Sequence, residues 1–276
     1  MTRRRLASEL RRLRDEARLT IEEVAARLEW SAAKISRIEN ARVGVLPRDV
    51  KFLLRVYGLT EKDPAWDVML TLATASRTRG WWHQYGDAVP EWFEVYVGLE
   101  ADAATVSSYD SEFVPGLLQT EAYARAIHGS SVQLTPADIE KRVTVRLARK
   151  NILDGDTQLW FVINEAVIAR QVGGRPVIRE QLAHLIETSR RPNVTLQVLP
   201  FDSGSHASMD GSFSILGFPE PSDPQVVYIE YQTGALYLEK PDEVRRYRMM
   251  MDHLRAEALS ADASAGRIMR TLDELA

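Results

Sequence analysis

The chain has 276 residues, an apolar share of 45 % and a charged share of 27 %, enough core for about two domains beneath an ordinary hydrated surface. It contains no cysteine, which excludes disulfides, thiolate metal sites and cysteine nucleophiles and fits a reducing cytosol. The net charge of −4 hides a division, because residues 1–58 carry 14 Lys and Arg against 8 Asp and Glu, leaving 21 against 31 for the rest.

A basic segment joined to an acidic body is the pattern expected when one part meets nucleic acid and the other stays off it; the plainer reading is a solvated N-terminal helix. The opening "MTRRRLASELRRLRDEARL" is basic like the start of a signal peptide, but no uninterrupted apolar run follows. Nowhere does an apolar run approach about 18 residues. The expectation is a cytoplasmic protein, neither secreted nor membrane-spanning. Arg3, Arg4 and Arg5 precede the first apolar helix residue, so they are predicted to form an arm lying along phosphates or entering a minor groove.

Helical spacing then recurs in Leu6, Leu10 and Leu13, in Ile21, Val24, Ala25 and Leu28, in Ile35 and Ile38, and in Val50, Leu53, Leu54 and Tyr57. Thr20 with Glu23 makes a capping box and Ser31 is a good N-cap, so two helix starts lie 11 residues apart. Glu29 and Trp30 leave a turn too short for antiparallel packing, and the small Ala25 permits a close, steep crossing. That is a helix-turn-helix. The outer face of its second helix carries Ala32, Ala33, Lys34, Ser36 and Arg37, which would point into a DNA major groove. Arg37 is the best base reader, since its planar fork matches guanine O6 and N7. Lys34 suits guanine or phosphate, and Ala32 or Ala33 suits a thymine methyl. Thr20, Ser31 and the N–H groups at both helix starts would hold phosphates. A small helical bundle that binds only protein is the alternative.

Residues 6–58 resemble the Xre or lambda-repressor-like helix-turn-helix domain through "LTIEEVAARL" and "KISRIENARV". The resemblance implies base-facing roles for Ala32, Ala33, Ser36 and Arg37 and positions near phosphate for Thr20, Lys34 and Arg42. Two positions depart from the pattern. Glu29 stands where Gly is usual, at a left-handed backbone cost of roughly 1 kcal/mol, and Ile21 replaces a residue that is often a phosphate-contacting Gln.

After "GLTEKDPAW" a helix over 64–76 carries Trp66, Met69, Leu70 and Ala73 on one face and is expected to connect two domains, giving 1–60 as the DNA reader, 61–79 as the connector and 80–276 as the remainder. "WWHQYGDAVPEWFEVYVGLEADAATV" concentrates aromatic residues, Trp81 and Trp82 among them. Such a cluster reads as core or interface, with a ligand cage as the sharper alternative. "TQLWFVIN", "NVTLQVLP", "SFSILGF" and "QVVYIEY" read as strands, "EYQTGALYLE" as a hairpin turned near Thr233 and Gly234, and 136–150, 176–190 and 241–258 as helices. The fold class is therefore a mainly α N-terminal helix-turn-helix domain plus a mixed α+β C-terminal domain, whose consecutive late strands argue against a doubly wound sheet.

Across 80–272, "VPGLLQTEAYARAI", "INEAVIARQVGG", "QLAHLIETSRRPNVTLQVLP" and "YIEYQTGALYLE" resemble the uncharacterised, antitoxin-like C-terminal domain that accompanies this helix-turn-helix in actinomycete regulators. That resemblance implies a developmental or antibiotic-linked regulator, often encoded beside a small partner protein, and names no ligand.

Candidates for chemistry in this half are thin. Ser203, Ser205, His206 and Ser208 in "DSGSHASMDG", and Glu165 in "INEAV", lack the strand-to-helix turn and positioned base that a catalytic Ser needs. Five His without paired spacing make no metal motif. "GGRP" at Gly173 reads as a helix break and not a phosphate loop, so no cofactor is expected. Arg142, Arg146 and Arg149 recur at helical spacing; they could grip an acidic ligand or partner, while a solvated face is the plainer reading. With Trp81, Trp82 and His206 they are the partner or ligand candidates.

The sequence thus reads as a non-enzymatic transcriptional regulator that binds a pseudo-palindromic operator in double-stranded DNA as a homodimer, under the control of a small protein encoded nearby or a small-molecule effector. An enzyme with a hydrolase-like or nucleotide-processing C-terminal domain and an autoregulatory helix-turn-helix is the alternative. A protein-binding antitoxin with secondary DNA contact is the third reading.

Overall fold

Apolar spacing in the N-terminal part becomes five short helices: α1 (Thr2–Glu16), α2 (Ile21–Leu28), α3 (Ala32–Glu39), α4 (Pro47–Val56) and α5 (Pro64–Ala75). The computed structural model describes residues 2–40, 45–75, 90–220 and 223–275. The chain divides into two units, residues 1–81 and 82–276. In the first, Leu6, Leu10, Leu13, Val24, Ala25, Ile35, Ile38, Val50, Leu53 and Leu54 form one buried cluster, the residues whose helical spacing marked them. The helix expected as a connector belongs to this cluster: Trp66, Met69 and Ala73 of α5 are buried in it, and α5 packs on α1 and α4. A helix with one broad apolar face docks wherever that face can leave water, and here the helix-turn-helix core supplies the place.

The second unit is a six-stranded mixed sheet in the order β3-β2-β1-β4-β5-β6. The strands are β1 (Thr105–Asp110), β2 (Gln158–Asn164), β3 (Val194–Leu199), β4 (Phe213–Gly217), β5 (Val226–Tyr231) and β6 (Gly234–Leu238). β1, β2 and β3 are parallel, while β4, β5 and β6 join antiparallel. The expected strands appear as β2 to β5, and the hairpin closes with Tyr231 opposite Gly234. Strand β1, at the centre of the sheet, was not expected. Its sequence TVSSYD lacks the apolar run that betrays the others.

Helices cover both faces. On one, α11 (Pro241–Glu257) sets Val244, Met251 and Leu254 against Tyr109, Val162, Phe213, Ile215 and Val227. Against the other lie α6 (Glu91–Ala101), α7 (Glu121–Gly129), α9 (Glu165–Ala169), α10 (Arg175–Thr188) and α12 (Ala261–Glu274), with α8 (Pro136–Ala148) packed on α7. They bury Val106, Leu159, Phe161, Ile163, Leu196, Val198, Leu216 and Val226. The break before α10 places Gly173 at φ 71° and Gly174 at φ 82°. A Cβ on Gly173 would fall 2.8 Å from Val177, so a helix break is what these glycines serve. The mixed α+β C-terminal half and the helical N-terminal half are as the patterning requires.

Candidate nucleic-acid interface and the C-terminal basic cluster

Helices α2 and α3 start as their caps dictate. Thr20 Oγ1 accepts from the Glu23 N–H at 3.2 Å while the Thr20 N–H donates to Glu23 Oε2 at 2.8 Å. These donors, the backbone N–H first and then the hydroxyl, hold the Glu23 carboxyl below its usual range. Ser31 Oγ accepts from the Lys34 N–H at 3.2 Å. The turn between them places Glu29 in left-handed backbone, φ 54° and ψ 36°, so the helix-ending geometry usual for glycine is kept with a side chain in its place.

Helix α3 buries Ile35 and Ile38 and turns Ala33 and Arg37 outward, with Ala32 and Ser36 half-buried beside them. Lys34 is held back from that face. Its Nζ sits 3.3 Å above the Trp30 ring and 3.3 Å from Asp49 Oδ2, an arrangement that cation–π attraction and the carboxylate both favour. The Ser36 hydroxyl is partnered too, accepting from Asn40 Nδ2 at 3.3 Å. The expected arm takes a different form: Arg3, Arg4 and Arg5 lie within the first turns of α1. Helix propensity favours this, because Arg and Leu are good helix formers and the Leu6, Leu10 and Leu13 face already anchors the segment. A helical segment cannot thread a minor groove as an extended arm does. Arg42 lies outside the described residues.

One buried ion pair ties α1 to the end of α3. Arg14 of α1 donates from Nε and Nη2 to Glu39 at the end of α3, at 2.9, 3.0 and 2.9 Å, and from Nη1 to the Leu19 carbonyl at 2.8 Å. The Tyr57 hydroxyl donates to the same carboxylate at 3.3 Å. Bonding to Glu39 holds the Arg14 pKa above its ordinary value, while burial and the Glu39 charge push the Tyr57 phenol up. Helical periodicity gives no hint of this pair, since Arg14 and Glu39 read as surface charges until the fold places them opposite each other.

The arginine stripe is a mixture of roles rather than a solvated face. Arg149, just past α8, makes two 2.7 Å bonds to Glu100 of α6. Its guanidinium lies 5.1 Å from the Phe93 ring and 5.3 Å from that of Tyr96. Burial opposes its charge, but Glu100 outweighs burial and the pKa stands above the ordinary value. Arg146 is half-buried and donates to Gln119 Oε1 at 3.2 Å. Burial, then Arg149, lowers its pKa to about 10. The Nε of Arg142 is buried with no hydrogen-bond partner among the described residues, as is His128 Nε2. The "VPGLLQT" motif positions this cluster: Gln119 Nε2 donates to the Val114 carbonyl at 2.6 Å, leaving Oε1 for Arg146, and a Cβ on Gly116 would lie 3.0 Å from Arg146 Nη1.

Carboxylates that sequence reasoning missed complete the arrangement. Period-two alternation sends Val106, Ser108 and Asp110 of β1 to one face of the sheet, and the last two are polar where β2 presents Phe161 and Ile163. Burial raises the Asp110 pKa to about 7 against the opposing bond from Ser108 Oγ at 2.6 Å, with Glu230 pushing the same way and Arg146 opposing. Glu230, at the end of β5, accepts from the Tyr228 hydroxyl at 2.9 Å. A cavity of about 50 Å³ is lined by Trp92, Phe93, His128, Arg142, Arg146 and Glu230 among others. A second, of about 40 Å³, includes Glu100, Ser108, Asp110, Arg149 and Ser214. The second holds Ser108 and Asp110 at the carboxyl end of β1, beside β4, where the parallel strands meet the antiparallel ones, while the first touches the sheet at Glu230 of β5. Open sheets bind ligands at such switch points.

His206 stands apart from this cluster. Its Nε2 lies 3.2 Å from the Tyr109 hydroxyl on β1 and its Nδ1 accepts from the Ser208 N–H of its own loop at 3.2 Å, so both ring nitrogens are committed. Glu165 is likewise occupied, accepting from the Phe201 N–H at 2.8 Å and pairing with Arg267. Trp81 and Trp82 lie outside the described residues. Among the described residues no group of three or more His, Cys, Asp or Glu is arranged to hold a metal ion, and no helix is long and apolar enough to cross a membrane.

Residues 5–65 match a family model described as a helix-turn-helix domain, which supports DNA binding by a regulator of transcription. Residues 93–270 match one described as a domain of unknown function, DUF5753. No curated protein and no solved structure matches the chain. With most of its length covered by the second match, the chain belongs to the DUF5753 family.

Proposed function

We propose that this protein is a sequence-specific, Xre-type transcriptional regulator that reads a pseudo-palindromic operator in double-stranded DNA as a homodimer. The observation that carries the reading is the outer face of α3, where Arg37 and Ala33 are exposed while Ile35 and Ile38 of the same helix are buried and Arg14–Glu39 holds that helix in place. Such a face presents a guanidinium and a methyl group to base edges. One domain of this size reads only a few base pairs, so two copies about one helical turn apart, roughly 34 Å, are needed to pick a site from a genome. Acting on DNA with its C-terminal half under the control of a small ligand or a small partner protein, the chain is cytoplasmic and not an enzyme. Support for a non-catalytic C-terminal unit comes from His206 and Glu165, which bond to Tyr109, Ser208, Phe201 and Arg267 and not to a serine hydroxyl. The antitoxin-like, actinomycete context of the resemblance agrees with a regulator that answers to a partner. Selection of bound sequences from random DNA tests this: one enriched motif with two half-sites is expected, and unstructured enrichment by net charge alone would refute it.

A further inference from the structure

The arginine cluster offers more charge than the fold neutralises. Arg149 is matched by Glu100, but among the described residues neither Arg142 nor Arg146 forms an ion pair. Arg142 Nε is buried and unbonded, and Arg146 spends one donor on Gln119. Both line the cavity of about 50 Å³ together with Glu230, so two guanidinium groups face a single carboxylate there. Burial and Arg149 lower the Arg146 pKa only to about 10, and the group remains a cation at neutral pH. Withdrawing two cations from water beside one carboxylate is costly, and such a charge excess in a cleft marks a candidate ligand site. The remaining walls are Trp92 and Phe93, apolar and aromatic, and His128. Burial and then Arg146 and Arg142 depress the His128 pKa to about 4, so its imidazole is neutral and its Nε2 is available for a hydrogen bond.

We propose that this cavity binds the head of a small 2-amino or 2-hydroxy carboxylic acid: its carboxylate lies against Arg142 and Arg146, its ammonium or hydroxyl group donates to Glu230, and its side chain packs on Trp92 and Phe93. The volume suits a head group of a few atoms and not a whole drug-sized molecule. Planar guanidinium groups match a carboxylate in two-bond geometry, and the adjacent carboxylate of Glu230 disfavours a plain dianion such as phosphate. The inference deepens the reading of the C-terminal unit as the controlled half and identifies the chemistry it answers to.

The test uses the full-length protein at constant ionic strength. Thermal shifts are screened with the common amino acids, their 2-hydroxy analogues, acetate and inorganic phosphate, and calorimetry then measures affinity for each hit. At least one amino or hydroxy acid is expected to give a saturable rise in Tm. Arg142→Gln and Arg146→Gln should each weaken its binding about tenfold or more, Glu230→Gln should weaken it more than it weakens acetate, and Arg245→Gln, remote from the cavity lining, should leave it unchanged. If Arg146→Gln fails to fold, the Arg142→Gln result decides. The proposal is overturned if no amino or hydroxy acid gives a saturable shift, if phosphate binds as tightly as the best of them, or if the Arg142 variant binds like the parent. Enrichment of a DNA motif is measured separately, so loss of the ligand site and loss of the regulator reading are distinguishable outcomes.

Discussion

Each unit of this protein buries an arginine against a glutamate, and the two surroundings differ. In the N-terminal unit the Arg14 and Glu39 side chains keep 10 % and 3 % of their surface exposed, and the pair is closed: the Leu19 carbonyl and the Tyr57 hydroxyl take up further bonds. In the C-terminal unit Arg149 and Glu100 are as deeply buried, at 5 % and 3 %, yet among the described residues the next arginines along, Arg146 and Arg142, form no ion pair and share the neighbourhood of one carboxylate, Glu230. A closed pair holds helices in register. A pair beside unmatched cations marks a place where charge is kept in reserve for something else.

The largest effect expected from this contrast is on stability. Glu39→Ala leaves a buried Arg14 uncompensated and should cost about 3–5 kcal/mol in denaturant unfolding, with Glu100→Ala costing a similar amount through Arg149. Arg142→Gln removes a charge that forms no ion pair among the described residues and should cost less than ~1 kcal/mol. Equal losses for Glu39→Ala and Arg142→Gln would erase the distinction between closed and open clusters.

Next comes the pH dependence of the open cluster. Asp110 has its pKa raised from 3.8 to about 7, so between those values the folded state holds a proton that the unfolded chain releases, and its contribution to stability is present at low pH and lost as pH rises towards 7. The facing groups are Ser108, Glu230 and Arg146. Asp110→Asn removes that loss, and its stability relative to the parent should grow from pH 4 to pH 7 by up to ~4 kcal/mol. His128, held near 4, acts in the opposite sense: its contribution is lost as pH falls from 6.5 towards 4. The variant should therefore lose more stability on acidification than the parent does. A pH-independent difference between Asp110→Asn and parent would mean that Asp110 is ionised like a surface carboxylate.

In the N-terminal unit the charge proposed to read bases, Arg37, is on the surface. Arg37→Ala should lower specific DNA affinity by about 1–3 kcal/mol and relax preference at one base pair per half-site without moving the unfolding midpoint. An unchanged binding profile would place the reading face elsewhere. The smallest expected effect is at Glu29, whose φ of 54° suits glycine. Glu29→Gly should stabilise the protein by roughly 0.5–1 kcal/mol, and a loss of stability would show that the side chain compensates for the backbone conformation.

Local pattern carried much of the N-terminal unit. Thr20, Glu23 and Ser31 cap where their chemistry says, and Val24, Ala25, Ile35 and Ile38 bury because helical spacing gives them one face. The same logic does not show where Lys34 rests or that the basic start of the chain is helical. The partner of Lys34, Asp49, is 15 residues away on another helix, and Arg3 to Arg5 are drawn into α1 by the apolar face that follows them. In the C-terminal unit strands β2 to β5 were legible because they are rich in Val, Ile, Leu and aromatic residues. Strand β1 was not, since Ser108 and Asp110 occupy the inward positions that would have betrayed it. The residues that hid the strand are ones that line the second cavity, of about 40 Å³.

By itself the sequence determined where the capped helices α2 and α3 begin, which faces of the N-terminal helices are apolar, that the two halves differ in charge, and that no thiol chemistry is available, because each of these depends on neighbours within a turn or on composition. Tertiary structure alone decided which charges are paired. Arg14 meets Glu39 across 25 residues and Arg149 meets Glu100 across 49, and a buried charge is defined by what lies opposite it in space. Arg142, Arg146 and Arg149 look alike in the chain. Packing against α6 and the loop at Gly116 neutralises one of them and leaves two facing a cavity, a distinction that no spacing rule contains.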